Sequence, residues 1–318
     1  MPGPRPDPGK RQAPVLALAR VLPMPVPGIL PPALPGRPTR RLTVVTANLC
    51  YGGLDPETGD DLPLEATVGA LRRARPHAVL LQEVGAAGNP SGLWRRLRRI
   101  ANALGMEPAV LGPSAAIRSE LGNHTAILVA AGRGLRVTDQ WPPPSPAGPR
   151  VPWCRAEVTV PGLAGPLHLY SAHLSARSPS ARVHAAELIA SYAAGHAGHV
   201  VAGGDWTTTR APGPGPAQIA ALPAAVRASR CRQGPDGAWA PRYDVDAPFA
   251  AAGLADLAAC HDPAGLAATT RDGARADRCY ATPALAGVLA ACQDLVTGSD
   301  HRAVAVTFDL TGLQETTR

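Results

Sequence analysis

Residues 42–48 read LTVVTAN and residues 78–82 read AVLLQ, two short runs dominated by β-branched and aliphatic side chains. Runs of this length and composition are typical of buried β-strands. Between them, residues 64–75 carry apolar side chains at the i, i+4, i+7 spacing of an amphipathic helix. The folded part of the chain is therefore predicted to begin with a strand, a helix and a second strand.

The same patterns continue along the rest of the chain, but they do not alternate regularly. Helices are predicted at residues 93–104 and 181–194. Strands are predicted at residues 126–130, 154–160, 167–172, 200–202, 278–281, 289–295 and 303–308. Residues 211–252 are rich in Pro, Gly and Ala, which predicts a long excursion with little regular structure. Irregularly inserted helices and several hairpin-like connections favour a layered α/β domain with mixed sheets over a regular βαβ repeat.

The chain of 318 residues has 31 basic and 24 acidic side chains and a formal charge of +7. A basic protein of this kind invites a nucleic-acid function. However, residues 1–41 hold seven basic side chains and one acidic side chain, so they carry almost the whole net charge. Composition alone therefore does not indicate a nucleic-acid partner. No apolar run approaches the roughly 18 residues of a membrane span, so we expect no transmembrane segment.

The first 41 residues also hold 12 of the 36 prolines. Proline at this density prevents a long helix and disfavours paired strands, so residues 1–40 are predicted to be a disordered basic tail. A secretory signal is the alternative, but prolines interrupt the apolar pieces of the segment. One folded domain is predicted at residues 41–310, followed by a short C-terminal tail at residues 311–318.

Six cysteines lie at positions 50, 154, 231, 260, 279 and 292, and none of them forms a CxxC pair. This spacing excludes the usual zinc and redox motifs. An even count permits three disulfides, but a domain with a large core does not need them. We therefore expect reduced thiols in a cytoplasmic protein.

Polar side chains recur at the ends of apolar strands. The strand ends supply Asn48, Glu83, His173 and Asp205, and the C-terminal part adds Asp277 and the segment 299–301. Any one of these residues alone has an ordinary interpretation as a cap or a turn former. Six such sites in one chain favour a shared function instead.

The types of these side chains exclude some chemistries and favour another. The chain has no G-x-S-x-G, P-loop, G-x-G-x-x-G or H-E-x-x-H motif. Oxygen ligands from Asn and carboxylates suit a hard cation such as Mg²⁺ or Mn²⁺. A His held by an Asp suits general acid–base catalysis. Together these residues point to metal-assisted hydrolysis of a phosphate ester.

Six segments carry a resemblance to a known family. They are TANLCYGG (46–53), LLQEV (80–84), YSAHLS (170–175), GGDWTTT (203–209), RADRCY (275–280) and GSDHRAV (298–304). Their order resembles the ordered signature motifs of the endonuclease/exonuclease/phosphatase superfamily across residues 42–309. The resemblance implies a four-layer α/β sandwich of two packed mixed β-sheets flanked by helices. It also implies a metal-dependent phosphoester hydrolase that uses one in-line attack by water.

The resemblance implies metal and water-activating roles for several residues. Glu83 would be the principal ligand of Mg²⁺ or Mn²⁺, with Asn48 and Asp300 close to the ion or its waters. Asp205 would orient or deprotonate the attacking water. Arg182 matches a recurrent arginine that is expected to be structural.

A second group would contact the phosphate. His301 would meet the scissile phosphate while Asp277 fixes its ring, and His173 would donate to phosphate oxygens. Asn123 matches a position that is often close to the substrate phosphate. His124, the next residue, is a candidate substrate contact, with an ordinary loop histidine as the alternative.

One position departs from the family pattern, in which an Asn usually follows the Gly-Asp-aromatic triplet. Here Trp206 is followed by Thr207, which we keep as a candidate substrate contact. Threonine offers one hydroxyl on a shorter stem. Losing one preorganised hydrogen bond can cost about 10²–10³ in rate. We therefore expect retained hydrolase activity, with a slow rate and an unusual substrate geometry as the two alternatives. Trp206 itself is predicted to pack in the core.

The substrate class stays open at this point. The catalytic domain is close to neutral, so a small or lipid-like phosphoester is as plausible a substrate as DNA or RNA. The alternative function is therefore a metal-dependent endonuclease or exonuclease that cleaves DNA or RNA. A non-catalytic binding protein that retains the fold is a further alternative. We expect a monomer in each case.

Overall fold

The computed structural model describes residues 40–55, 57–85, 90–113, 124–141, 151–210, 213–263 and 267–314. Its strands are β1 (Arg41–Asn48), β2 (Ala78–Gln82), β3 (Glu107–Pro113), β4 (His124–Val129), β5 (Arg136–Trp141), β6 (Trp153–Thr159), β7 (Leu167–His173), β8 (His199–Asp205), β9 (Cys231–Gln233), β10 (Trp239–Pro241), β11 (Ala255–Asp256), β12 (Asp277–Ala281), β13 (Leu289–Leu295) and β14 (Ala303–Asp309). Its helices are α1 (Cys50–Gly53), α2 (Leu62–Ala74), α3 (Pro90–Leu104), α4 (Pro179–Gly195), α5 (Pro216–Ala221), α6 (Ala224–Arg230), α7 (Asp246–Ala251), α8 (Leu257–His261), α9 (Pro283–Ala286) and α10 (Thr311–Gln314). The predicted N-terminal tail lies outside the described residues, apart from residue 40.

Two six-stranded mixed sheets form the body of the domain. The first sheet has the order β13-β14-β1-β2-β4-β3 and the second has the order β11-β12-β8-β7-β6-β5. Each sheet contains one parallel pair, β1 with β2 and β7 with β8, and its other neighbours are antiparallel. A separate small hairpin joins β9 and β10. The predicted four-layer α/β sandwich is confirmed.

Apolar side chains fill the space between the sheets and beneath the helices. In β1, Leu42 and Val44 belong to the core between the two sheets, whereas Val45 and Ala47 pack towards α2 and α3. On the second sheet, residues of α4 and α7 pack on the outer face. Strands covered on both faces bury apolar residues on both faces, which explains the nearly continuous apolar runs in the sequence.

Glycines let β8 approach its neighbours closely. A Cβ atom at Gly203 would lie 2.8 Å from Leu80 Cδ1 and 3.1 Å from Thr46 Cβ, both in the opposite sheet. A Cβ atom at Gly204 would lie only 2.1 Å from the carbonyl oxygen of Ala172 in the adjacent strand. Gly203 therefore lets the two sheets approach closely under Asp205, and Gly204 lets β7 lie close beside β8.

A buried polar bridge links the two sheets at the same level. Gln82 Nε2 donates to Ser171 Oγ (3.0 Å), and Ser171 Oγ donates to the carbonyl oxygen of Leu81 (2.8 Å). Thr46 Oγ1 donates to Gln82 Oε1 (3.3 Å). The side chains of Thr46, Gln82 and Ser171 are fully buried, so each depends on these partners. The bridge ties β1 and β2 to β7 just before those strands end.

The structure agrees with most of the predicted elements and corrects some. Residues 211–252 hold α5, α6, β9, β10 and α7, so the prediction of little regular structure there was wrong. The edge strands β3 and β5 were not predicted, because β3 contains two prolines and β5 is largely exposed and polar. In the described part of the chain, no helix is long and apolar enough to cross a membrane.

Candidate active site

The ends of several strands meet at one edge of the two sheets. The parallel pairs β1–β2 and β7–β8 run in register, with His173 opposite Asp205 and Asn48 opposite Gln82, the residue before Glu83. Asp277 begins the antiparallel strand β12 and also lies opposite Asp205. The sequence-predicted residues Asn48, Glu83, His173, Asp205, Asp277 and His301 are therefore brought together.

Asp205 lies at the centre of this cluster and is almost fully buried. Its Oδ2 atom is 3.1 Å from Asn48 Nδ2, 3.4 Å from His173 Nε2 and 3.9 Å from His301 Nε2. Its Oδ1 atom accepts the backbone N–H of Thr207 at 2.8 Å. Burial by itself would raise the pKa of Asp205, but His301, His173 and this backbone hydrogen bond hold that pKa below its usual value. Asp205 is therefore an ionised carboxylate at neutral pH.

Glu83 provides the most accessible carboxylate of the buried cluster, with 15% of its side chain exposed. Its Oε1 atom is 3.3 Å from Asn48 Nδ2 and 3.8 Å from His173 Nε2, and its Oε2 atom accepts the backbone N–H of Tyr51 at 2.9 Å. Among the described residues, no Lys or Arg side chain forms an ion pair with Glu83 or Asp205. The two carboxylates thus share a poorly solvated space in which no Lys or Arg side chain neutralises them, which favours binding of a cation.

His301 and Asp277 form a hydrogen-bonded pair. His301 Nδ1 donates to Asp277 Oδ2 at 2.8 Å, and Asp277 is fully buried. Burial opposes protonation of His301, but Asp277, followed by Asp205 and Asp300, raises the pKa of His301 to about 10. The ring is therefore an imidazolium at neutral pH, with Nε2 facing Asp205. This matches the predicted orientation of a histidine by an aspartate.

One possible ligand atom from each of three residues, Asp205, Asp277 and His301, lies within 4.8 Å of the other two. This spacing would allow the three residues to hold a metal ion. However, the Asp277 oxygen that faces His301 already accepts its Nδ1–H hydrogen, and no cation is needed to satisfy it. Hard divalent ions also prefer oxygen ligands to imidazole. The Glu83 side of the cluster therefore fits such an ion better.

Asn48 presents its amide group in a specific direction. Its Oδ1 atom accepts the backbone N–H of Cys50 at 2.9 Å, while its Nδ2 atom donates to Glu83 and Asp205. In this orientation Asn48 holds the two carboxylates together. A direct metal contact by its oxygen would require the amide to rotate.

Asp300 lies on the Cys50 side of the cluster and is exposed. Its carboxylate accepts a hydrogen bond from Ser299 Oγ at 3.2 Å. Burial, together with the nearby Asp300 carboxylate, raises the pKa of Cys50 to about 12. Among the described residues, Asp300 makes no hydrogen bond to Asn48 or Glu83. Its predicted place beside a metal ion stays a prediction.

The backbone around these residues is strained. Five non-glycine residues of the described chain have a positive φ. Four of them lie in this cluster, with φ values between 50° and 54°: Cys50, Tyr51, Glu83 and Thr207. Each such residue costs about 1–2 kcal/mol. Arg96 Nη1 stabilises the left-handed turn α1 by donating to the carbonyl oxygen of Gly52 at 2.6 Å. Strain of this kind is concentrated where side chains must be held in a fixed geometry.

Thr207 is buried and bonded inside the protein. Its Oγ1 atom donates to the carbonyl oxygen of Ser175 at 3.0 Å, and its N–H orients Asp205. The structure therefore gives Thr207 a positioning role. Its predicted contact with substrate stays a prediction.

Two buried arginines support this edge of the sheets from below. Arg182 donates to the carbonyl oxygen of Ser175 (2.8 Å) and to Ser229 Oγ (3.0 Å), consistent with its expected structural role. Arg278, which sequence reasoning missed, donates to the carbonyl oxygens of Thr208 (2.7 Å) and Arg275 (2.6 Å). Nothing in the sequence distinguishes Arg278 from the many exposed arginines, whereas Arg182 was found through the family resemblance.

The remaining predicted residues lie near Glu83 or outside the described chain. The carbonyl oxygen of His124 accepts the N–H of Val84 at 3.0 Å, so the start of β4 runs beside Glu83. Asn123 lies outside the described residues.

Trp206 is fully buried and packs edge-on against Phe249, with ring centroids 4.8 Å apart, so the prediction that it packs in the core is confirmed.

This chain is similar to known proteins in its structure. No family model matches the chain, and no curated protein matches it in sequence. An AP endonuclease from Archaeoglobus fulgidus has a TM-score of 0.56 at 16% identity, over 84% of this chain and 99% of that one. An endonuclease/exonuclease/phosphatase from Bacteroides vulgatus has a TM-score of 0.58 at 13% identity, over 85% and 98%. The mannosyl-6-phosphatase Bt3783 from Bacteroides thetaiotaomicron has a TM-score of 0.51 at 16% identity, over 83% and 98%.

The resemblance that the sequence motifs predicted is thereby confirmed at the level of the fold. This chain has the fold of the endonuclease/exonuclease/phosphatase superfamily.

Proposed function

We propose that this protein is a divalent-metal-dependent phosphoester hydrolase in which water attacks the phosphorus in line. The observation that carries the proposal is the convergence of Glu83, Asp205, His173 and the His301–Asp277 pair at one edge of the sheets. The thiol of Cys50, whose backbone N–H donates to Asn48, has a pKa of about 12 and is therefore a poor nucleophile at neutral pH. A mechanism without a covalent intermediate fits these properties.

Glu83 would hold the metal ion, Mg²⁺ or Mn²⁺, with Asp300 and Asn48 close to the ion or its waters. When bound, such an ion supplies Lewis-acid stabilisation of charge on the phosphoryl oxygens. The carboxylate of Glu83 is kept in place by the N–H of Tyr51 and by the amide of Asn48.

Asp205 would accept a hydrogen bond from the attacking water and orient it. Its ionised state and its backbone hydrogen bond to Thr207 suit it to this role. His301, protonated and fixed by Asp277, would donate from Nε2 to a phosphoryl oxygen. His173 would donate from Nε2 to the same developing charge. Donors that are already oriented in a buried site stabilise such a transition state strongly.

The fold alone leaves the substrate open, because an AP endonuclease and a mannosyl-6-phosphatase both share it. The near-neutral folded domain does not demand a polyanion. We therefore propose a phosphoester hydrolase without restricting it to nucleic acid.

The test is hydrolysis of bis-p-nitrophenyl phosphate and p-nitrophenyl phosphate across a Mg²⁺ and Mn²⁺ series. Glu83→Gln and His301→Ala should each lower kcat by at least about 10²-fold, while Glu187→Gln, an exposed control on α4, should not. The same panel should include DNA, RNA and phospholipid substrates. Absence of metal-stimulated hydrolysis on every substrate, with unchanged behaviour of Glu83→Gln, would refute the proposal.

A further inference from the structure

A cavity of about 470 Å³ adjoins the proposed active site. It is lined by two segments, residues 268–273 and 296–302, and it shares Asp300 and His301 with that site. Its volume is in the range of small-molecule binding sites. The cavity therefore borders the proposed active site at Asp300 and His301.

The walls of this cavity are fixed to the catalytic pair by hydrogen bonds. Thr270 and His301 form an antiparallel bridge, and the N–H of Arg302 donates to the carbonyl oxygen of Thr269 at 2.7 Å. Thr269 Oγ1 in turn accepts the N–H of Asp277 at 3.0 Å. A group bound here would be held in a defined position relative to His301.

Two guanidinium groups line this cavity without a partner. Arg271 and Arg302 are both exposed, and among the described residues neither side chain makes a hydrogen bond or an ion pair. Nearby arginines are compensated, since Arg230 pairs with Asp272 and Arg275 pairs with Asp294 (3.3 Å). Uncompensated arginines beside a catalytic cleft are suited to an anionic ligand, because a guanidinium can bind phosphate oxygens in a bidentate manner.

The other polar groups of the lining are already engaged. Thr297 Oγ1 donates to the carbonyl oxygen of His301 (2.6 Å), and Ser299 Oγ donates to Asp300 (3.2 Å). Asp300 is the one carboxylate in the lining, and under the proposed function it faces the metal ion. The charges of Asp300 and of the His301 imidazolium offset each other, so the net charge of the lining is that of the two arginines.

We infer that this cavity is a subsite for a second phosphate group of the substrate, bound by Arg271 and Arg302 next to the phosphate that is cleaved. The inference rests on the proposed function, and it narrows the substrate to phosphoesters that carry another phosphate within reach. A polynucleotide and a small bisphosphate share this chemistry. Two arginine side chains can bind this second phosphate even though the folded domain as a whole is close to neutral.

The experiment compares three substrates in the full-length protein. Bis-p-nitrophenyl phosphate has one phosphate, a short DNA oligonucleotide has flanking phosphates, and fructose 1,6-bisphosphate is a small two-phosphate compound. In the double variant Arg271→Gln/Arg302→Gln, kcat/KM for at least one two-phosphate substrate should fall at least about tenfold more than for bis-p-nitrophenyl phosphate, through KM. The substrate that responds identifies the source of the second phosphate. Arg98→Gln, an exposed arginine of α3, is the matched control and should not change these ratios.

A binding measurement separates this inference from the proposed function. Calorimetric titration with pyrophosphate should show binding to the Glu83→Gln protein that weakens at least about tenfold when Arg271 and Arg302 are also replaced by Gln. If hydrolysis fails but this loss is seen, the proposed function is wrong, whereas phosphate binding by Arg271 and Arg302 stands. If hydrolysis is metal-dependent but the double variant changes neither the substrate ratios nor pyrophosphate binding, the subsite is wrong.

Discussion

Thr207 combines a strained backbone conformation with a hydrogen bond to Asp205. Its φ of 53° is unusual for a β-branched side chain, whereas Asn adopts this region readily. We expect Thr207→Asn to keep the protein folded and to raise kcat for bis-p-nitrophenyl phosphate by about tenfold, because an amide can donate to the phosphate. Thr207→Ala is the control and should not raise it. A kcat that is unchanged in Thr207→Asn would mean that the missing amide is not what limits the rate.

His77 is a second residue with a specific consequence. Its Nδ1 atom accepts the N–H of Thr43 at 3.1 Å, and burial followed by the charge of Arg133 lowers its pKa to about 4. Since the folded state prefers the neutral ring, its stabilising contribution is complete above the unfolded pKa of about 6.5 and is lost as the pH falls towards 4. Acidification from pH 7 to pH 5 should therefore remove about 1 kcal/mol, after allowance for partial exposure of the ring.

The His77 prediction is measured by urea unfolding at both pH values. His77→Asn keeps an acceptor for the Thr43 N–H but does not titrate, so its free energy of unfolding should fall less between pH 7 and pH 5 than that of the wild-type protein. Equal losses in the two proteins would show that His77 does not contribute.

At the scale of elements, the left-handed turn α1 depends on a contact from α3. Arg96 donates to the carbonyl oxygen of Gly52 and pairs with Asp61 at 3.0 Å. The turn also places the Tyr51 N–H on Glu83. We expect Arg96→Gln to lower the free energy of unfolding by about 1–2 kcal/mol and to raise the Mg²⁺ concentration needed for half-maximal hydrolysis severalfold. Arg95→Gln, an exposed neighbour on α3, should change neither quantity.

The strands and the edge that carries the candidate site were predictable because both follow from local patterns. Buried strands read as apolar runs, and polar residues at the ends of parallel strands reach the same edge of a sheet. The edge strands β3 and β5 lack such runs. The bridge between Gln82 and Ser171 joins residues 89 positions apart, and a single sequence carries no local signal for such a pair. Arg96 is one of four arginines in α3, and nothing in the sequence marks it as the one that supports α1.

At the scale of the whole molecule, the sandwich depends on how closely its two sheets approach under Asp205. Gly203 faces Leu80 and Thr46 across the sheets, and a Cβ atom there would lie 2.8 Å from Leu80 Cδ1. We expect Gly203→Ala to lower the free energy of unfolding by about 1–3 kcal/mol, because an added methyl group overpacks a filled core.

The matched control for Gly203→Ala is Gly195→Ala at the end of α4, where a Cβ atom would meet nothing within 4 Å. That substitution should leave stability unchanged or raise it by up to about 1 kcal/mol through helix propensity. Both variants are measured by urea unfolding at neutral pH. Because the sheets carry Asp205 on one side and Glu83 on the other, Gly203→Ala should also slow hydrolysis in the protein that remains folded. If Gly203→Ala is fully stable but hydrolyses more slowly, the close approach of the sheets matters for the site and not for stability. If the two variants have the same stability and the same activity, the sheets can move apart at Gly203 without loss of free energy.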